Sequence, residues 1–305
     1  MIKKETIIIL GAGANKPYGF PLGSELRDSV IKKQEDFWLR NSSLEIGFSS
    51  IEYAVFTDNL AYSGYASVDA YLENNDRWLD LGKAAIALDL LGYEYSCEEK
   101  LFPPKQPADH WYETLWSRLR TPTWEEFKSN AVRIITFNYD RSLEHYLVKV
   151  LCNNYKIGST TAMRGLSELP ILHVHGDLGE YITVNGQIDF GERITQSRYE
   201  AAKQRIKIIH EDMGGTKELN AARKYLEQAE RILFIGFGYH SSNMAKLGLS
   251  EWVGINGLGI NRVFGTHRGI KSNAWRRICQ QYGFCHSAQR QGRGSISEFI
   301  NECLE

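Results

Sequence analysis

Short, nearly continuous apolar runs occur at Thr6 to Leu10, Val132 to Phe137, Leu169 to Val174, Arg231 to Ile235 and Asn261 to Phe264. Runs of this length, rich in Ile, Val and Phe and closed by Gly, Pro or Asn, predict buried strands. Between the later ones lie helical stretches, of which Leu219 to Glu230 is the clearest. After the first run, Ser24 offers a cap for a helix that carries Leu26, Val30 and Ile31 on one face. From about residue 32 to 130 the apolar spacing is mostly helical, as in Val68 to Leu72 and Ala84 to Leu91. Pro103, Pro104 and Pro107 interrupt this block, and Thr123 to Glu126 has the spacing of a capping box. Trp111, Trp116 and Trp124 are expected to form the core of the block.

Strands that alternate with helices imply a mostly parallel sheet covered on both faces. The expected fold class is therefore α/β: a Rossmann-like sheet with helices on both faces, built from residues 1–31 and 131–305. Residues 32–130 are expected as an inserted helical subdomain. Neither an internal repeat nor a low-complexity linker is visible.

Composition narrows the function classes more than the fold. With 305 residues the chain is about twice the length of a typical domain, so one large or two intimate domains are expected. Lys and Arg number 36 against 37 Asp and Glu, a net charge of −1. So even a balance gives no electrostatic reason to bind nucleic acid or an acidic membrane, and neither is expected as a partner. The basic clusters Lys203 to Lys207 and Arg290 to Arg293 are expected as solvated faces. Cys97, Cys152, Cys279, Cys285 and Cys303 are scattered, with no pair at zinc-knuckle spacing, and are expected as reduced thiols. The apolar stretch Ile7 to Leu10 is too short for a signal-peptide core, and no window approaches the roughly 18 apolar residues that span a bilayer. A cytoplasmic protein is expected.

Three segments carry candidate chemistry. Gly11-Ala-Gly-Ala-Asn-Lys-Pro-Tyr-Gly-Phe-Pro21 places permissive backbone at the carboxyl end of a strand, where N–H groups and a helix start can converge on phosphate. The dinucleotide fingerprint needs a third glycine where Lys16 stands, and Gly-Lys-Ser/Thr is absent, so neither a dehydrogenase nor an ordinary ATPase is expected. Thr136-Phe-Asn-Tyr-Asp140 would project Asn138 and Asp140 from the carboxyl edge of the sheet, although Asn-x-Asp can equally cap the following helix. His173-Val-His-Gly176 ends another strand, and alternation would point His173 and His175 to the same side. A histidine there can also be a satisfied structural residue.

Taken in order, these segments and Ile232-Leu-Phe-Ile-Gly-Phe-Gly238 resemble sirtuins, most of all the sirtuin-like NAD hydrolase domains of bacterial anti-phage defence proteins. The likeness covers the two ends of the chain and is weak over residues 32–130. It implies NAD as substrate, with Gly11, Ala12, Gly13 and Asn15 at the pyrophosphate and Gly19 and Pro21 shaping the nicotinamide side. Asn15 stands where the family has serine. The resemblance also implies that Asn138 and Asp140 order the ribose and water, that His175 is the catalytic histidine followed by Gly176, and that Gly236, Phe237 and Gly238 approach the adenosine half. Asp189-Phe-Gly-Glu192 is a further short match. The two Cys-x-x-Cys pairs of the family's deacylases are missing, so no metal is expected and water becomes the favoured acceptor.

The implied activity is hydrolysis of the nicotinamide–ribose bond of NAD to nicotinamide and ADP-ribose. A non-catalytic sensor of NAD or an ADP-ribose-type nucleotide, and a zinc-free protein deacylase, remain alternatives. Relatives of this kind work as homo-oligomers or beside a partner such as a motor ATPase or phage component. The insertion is the expected seat of regulation, as a lid or assembly surface with Tyr71 and Trp78 among its contacts.

Overall fold

The computed structural model describes residues 1–32, 44–181, 189–208, 216–249, 262–284 and 294–304. Cys285, Asn261 and the basic run 290–293 lie outside the described residues. Strand β1 (Thr6–Leu10) runs through two short 3-10 turns into α1 (Gly23–Lys32). A helical block follows: α2 (Ser50–Tyr62), α3 (Val68–Leu72), α4 (Leu79–Leu101), α5 (Trp111–Leu119) and α6 (Trp124–Phe127). The chain then continues as β2 (Val132–Thr136), α7 (Ser142–Tyr155), α8 (Ser159–Leu166), β3 (Ile171–His173), α9 (Gln196–Arg205) and α10 (Lys217–Gln228). It ends with β4 (Arg231–Ile235), α11 (Ser241–Lys246), β5 (Val263–Gly265), α12 (Ser272–Tyr282) and α13 (Ile296–Cys303).

The five strands form one all-parallel sheet in the order β3-β2-β1-β4-β5, the Rossmann-like α/β arrangement. Period-two alternation divides β1 between two cores. Ile8 and Leu10 join the cluster containing Trp111, Leu147 and Phe299, whereas Ile7 and Ile9 join Leu226, Met244 and Trp275 on the opposite face. A third core lies in the helical block, where Phe56, Leu72 and Leu91 pack with Tyr199 and Ile206 from the region of α9. No helix among the described residues is long and apolar enough to cross a membrane.

Several local expectations need correction. Ser24 is not the cap of α1: the helix begins at Gly23, and Glu25 Oε2 accepts the Leu22 N–H at 2.8 Å instead. Trp111 and Trp116 do not fill a core private to the insertion, because their cluster is the one beneath β1 and β2. Tyr71 is buried against Phe56 and offers no open contact, whereas Trp78 packs on Phe56 and stays partly exposed. The third strand is shorter than its apolar run and ends at His173. Thr123, by contrast, caps α6 as its spacing predicts, accepting the Glu126 N–H at 3.3 Å.

Candidate functional site

In an open parallel sheet of this order the chain leaves β1 in opposite directions, and the crevice outside the carboxyl ends of β1 and β4 is where ligands bind. Both glycine turns lie there, and they touch backbone to backbone. Gly11 N–H donates to Ile235 O at 3.0 Å, and Gly13 N–H donates to Gly236 O at 2.9 Å. A Cβ on Gly11 or Gly13 would stand 2.7 or 2.8 Å from that same Gly236 oxygen. Gly236 itself has φ +59° and would place a Cβ 1.9 Å from Ala14 N, while Thr266 Oγ1 accepts its N–H at 2.8 Å. The need for glycine at 11, 13 and 236 is thus met by contact between the turns. Ala12 and Gly13 keep partial exposure at the rim.

Phe237 packs edge-on against Phe137 at 5.0 Å, which joins the turn after β4 to the loop after β2. Gly238 lies beside the His240 ring. Gly19 and the half-buried Pro21 sit at the far end of the first loop, where the φ of +93° at Gly19 leaves room that the Lys100 ammonium occupies.

Asn15, Asn138, Asp140 and His175 are each at most 8% exposed, so their partners are protein groups. Asn15 Nδ2 donates to Asp140 Oδ2 at 2.7 Å, and Tyr112 Oη donates to Asn15 Oδ1 at 3.0 Å. Ser142 Oγ lies 2.7 Å from Tyr112 Oη and is also hydrogen-bonded to Asp140 Oδ1. Counting protons separates the two charge states of this ring. With Asp140 ionised, Ser142 gives its proton to the carboxylate and Tyr112 has one proton for two contacts. With Asp140 protonated, Asp140 donates to Ser142, Ser142 to Tyr112, Tyr112 to Asn15 and Asn15 back to Asp140, and every contact is filled. Burial, the largest influence, pushes the Asp140 pKa up, and the Ser142 and Asn15 hydrogen bonds oppose it; the result is about 6. Asp140 Oδ1 also accepts the Ser142 N–H at 3.1 Å, so the capping alternative is partly realised.

Asn138 lies between the glycine turn and β3. Its Nδ2 donates to Gly11 O at 3.2 Å, its N–H donates to Thr136 Oγ1, and its carbonyl is 2.8 Å from His173 Nδ1. His173 Nε2 reaches Glu144 Oε1 at 2.6 Å. Burial disfavours the imidazolium of His173, but the Glu144 carboxylate outweighs it, with help from Asp177 and the Asn138 carbonyl, and the pKa rises to about 9. His173 is therefore a charged clamp. It does not align with His175 as alternation would have it, because β3 ends and Gly176 N–H folds back to His173 O at 3.4 Å.

His175 sits among aromatic rings, 5.3 Å from Phe137 and 6.3 Å from Tyr139 between centroids. Its carbonyl accepts the Lys207 N–H at 2.8 Å. Burial drives its pKa down to about 4; Asp69 and the Lys207 backbone pull upward and Lys246 adds to the fall. The ring is thus neutral at pH 7 and able to take a proton, though it is a weaker base than an unperturbed imidazole. Gly176 (φ +77°) allows the crossing chain to approach, since a Cβ there would lie 1.8 Å from Arg205 O.

Beneath the site the residue after Asp140 is a buried cation. Arg141 binds Glu94 of α4 through its backbone N–H (2.9 Å), Nε (3.1 Å) and Nη2 (2.6 Å). Asp189 pairs with Arg198 at 2.5 Å and lies 3.7 Å from Arg141, and Phe190 stacks on His145 at 4.3 Å. The Asp-Phe-Gly-Glu segment therefore braces this underside. In the cluster at Lys203 to Lys207, Arg205 pairs with Asp177 and Ile206 is buried, so the run is not simply a solvated face.

Tyr112, Ser142, Glu144, Asp69 and Tyr139 escaped the sequence reading. Ser142 had a signal, two residues after Asp140 at a helix start; Tyr112, Glu144 and Asp69 had none. Among the described residues no cluster of His, Cys, Asp and Glu is placed to hold a metal ion, and Cys97, Cys152, Cys279 and Cys303 are free thiols. With this geometry in view, comparison with family models and with curated proteins finds no match for the chain.

Proposed function

We propose that this protein hydrolyses NAD at the nicotinamide–ribose bond, releasing nicotinamide and ADP-ribose. The observation that supports this reading best is that Asn138 and His175 follow the paired ends of the neighbouring strands β2 and β3 (Thr136 opposite His173), with the His175 ring beside Phe137 and Tyr139, which flank Asn138, and with Asn138 also bonded to the glycine turn after β1. A neutral imidazole and a carboxamide thus stand on adjacent strand ends, at the edge of the sheet where a dinucleotide is expected to bind.

In this reaction the C–N bond breaks with its electron pair passing to the pyridinium nitrogen, so nicotinamide leaves neutral. The ribose develops oxocarbenium character, and water forms the new C–O bond. Asn138 orients the ribose and water, and His175 accepts the proton released from a ribose hydroxyl or that water. Asp140 touches only the buried ring and acts as a positioning residue. Binding energy comes from the loop at Ala12 and Gly13 and from the rim near Gly238.

The test is nicotinamide release from NAD by the full chain. His175→Ala is expected to lower the rate by about 10² to 10⁴, the usual worth of a positioned base, and Asn138→Ala to lower it as well. Wild-type turnover that survives both substitutions refutes the assignment, and NAD binding with no release in any condition makes the protein a sensor instead. The same reading places the enzyme in bacterial defence, as a homo-oligomer or beside a partner protein, which sedimentation and turnover with candidate partners address.

A further inference from the structure

The helical block reaches the candidate site through a carboxylate. Asp69 stands in the first turn of α3, whose start is capped by Ser67 Oγ accepting the Ala70 N–H at 3.1 Å. The buried Tyr139 hydroxyl donates to Asp69 Oδ1. Tyr139 is fixed on its other side too: its carbonyl accepts the Leu178 N–H at 3.1 Å, and its ring meets the His175 imidazole at 71°. One side chain thus joins α3, the loop after β2 and the loop after β3.

We propose that Asp69 is a positioning residue for His175, holding Tyr139 against the imidazole and supplying the negative charge that stabilises the imidazolium formed when His175 takes its proton. The proposal deepens the NAD reading and rests on it for the identity of the reaction. It also makes α3 part of the catalytic apparatus, whereas the expected role of the insertion was that of a cover.

The charges facing His175 are few. Asp69 on α3 favours the protonated ring, as does the hydrogen bond with the Lys207 backbone beyond α9. Lys246, the last residue of α11, opposes it. Phe137 and Tyr139 supply apolar walls that disfavour any charge. Asp69 is therefore the only carboxylate that offsets burial among the described influences on this ring, and a charge acts more strongly in such buried surroundings than in water.

The experiment is an NMR titration of His175 in the full chain without substrate, together with kcat and KM for NAD. Asp69→Asn is expected to lower the His175 midpoint and to reduce kcat about threefold to tenfold at unchanged KM, since one pH unit of proton affinity corresponds to about tenfold. Lys246→Met is expected to move the midpoint upward. If Asp69→Asn unfolds, Tyr139→Phe keeps the packing and removes the hydrogen bond, and a lower midpoint is again expected. An unmoved midpoint in a folded Asp69→Asn or Tyr139→Phe chain overturns the proposal, whatever happens to turnover. A midpoint that moves as expected in a chain that releases no nicotinamide overturns the NAD reading and leaves the coupling standing.

Discussion

Replacing Asp140 with Asn tests the buried ring at its most informative atom. An Asn side chain keeps the shape of a protonated carboxyl group. Its NH₂ can donate to Ser142 Oγ while its oxygen accepts from Asn15, so the four-membered circuit survives and the desolvated charge disappears, at the cost of the acceptor that Oδ1 offers the Ser142 N–H. The folded-state pKa of Asp140, about 6, lies above its ordinary value of 3.8, so the native state binds a proton more tightly than the unfolded chain. The associated stability is fully present below about pH 3.8 and is lost as the pH rises through about 6. At about 1.36 kcal/mol per pH unit the loss is on the order of 3 kcal/mol. Urea unfolding of wild type and Asp140→Asn from pH 4 to 7.5 measures it, because other titrating groups cancel in the difference. The variant is expected to carry a constant deficit from the lost Ser142 N–H contact and to gain on wild type by about 3 kcal/mol between pH 4 and pH 7. A difference that does not change with pH, or a variant that becomes relatively weaker as pH rises, refutes the proton count.

Two further predictions concern the neighbouring loops. The His173 pKa is raised from 6.5 to about 9 by Glu144, so its stability is fully present below about pH 6.5 and lost as pH passes through 9. In Glu144→Gln that alkaline decline, on the order of 3 kcal/mol in wild type, is expected to vanish from unfolding curves, and its persistence would sink the clamp. Gly176→Ala puts a methyl group 1.8 Å from Arg205 O at positive φ. The backbone penalty of about 1–2 kcal/mol and the endangered Lys207–His175 hydrogen bond, about 1 kcal/mol, together predict a clear fall in Tm by calorimetry; an unchanged Tm would mean the two segments do not cross so closely.

Much of the sheet was legible because fully buried parallel strands must be apolar without interruption: Thr6 to Leu10 and Arg231 to Ile235 coincide with β1 and β4. Leu169 to Val174 was overdrawn against the observed Ile171–His173, since a buried loop can continue an apolar run beyond the paired residues. The strand-end polar residues were legible by the same logic, as Asn138, His175 and the glycine turns all fall just beyond a strand. What they touch was not legible. Tyr112 and Asn15 are 97 positions apart, as are no neighbours a local pattern can report, and Glu94 reads as one more charge on a long helix until Arg141 closes on it. The expectation that Asn15 faces phosphate failed to anticipate that both ends of its amide are engaged within the protein.

The placement of β1 bears on how the chain is made. Thr6 pairs with Val132 on one side and with Arg231 on the other, so this strand, once made, must wait for a long stretch of later chain before both its neighbours exist. Sheets that depend on partners so distant in the chain assemble slowly. Until then the Ile-rich segment is a sticky ribbon that invites association with other nascent chains. Truncation before residue 231 would leave it permanently in that condition, and yields of shortened chains in the presence and absence of chaperones would report the liability.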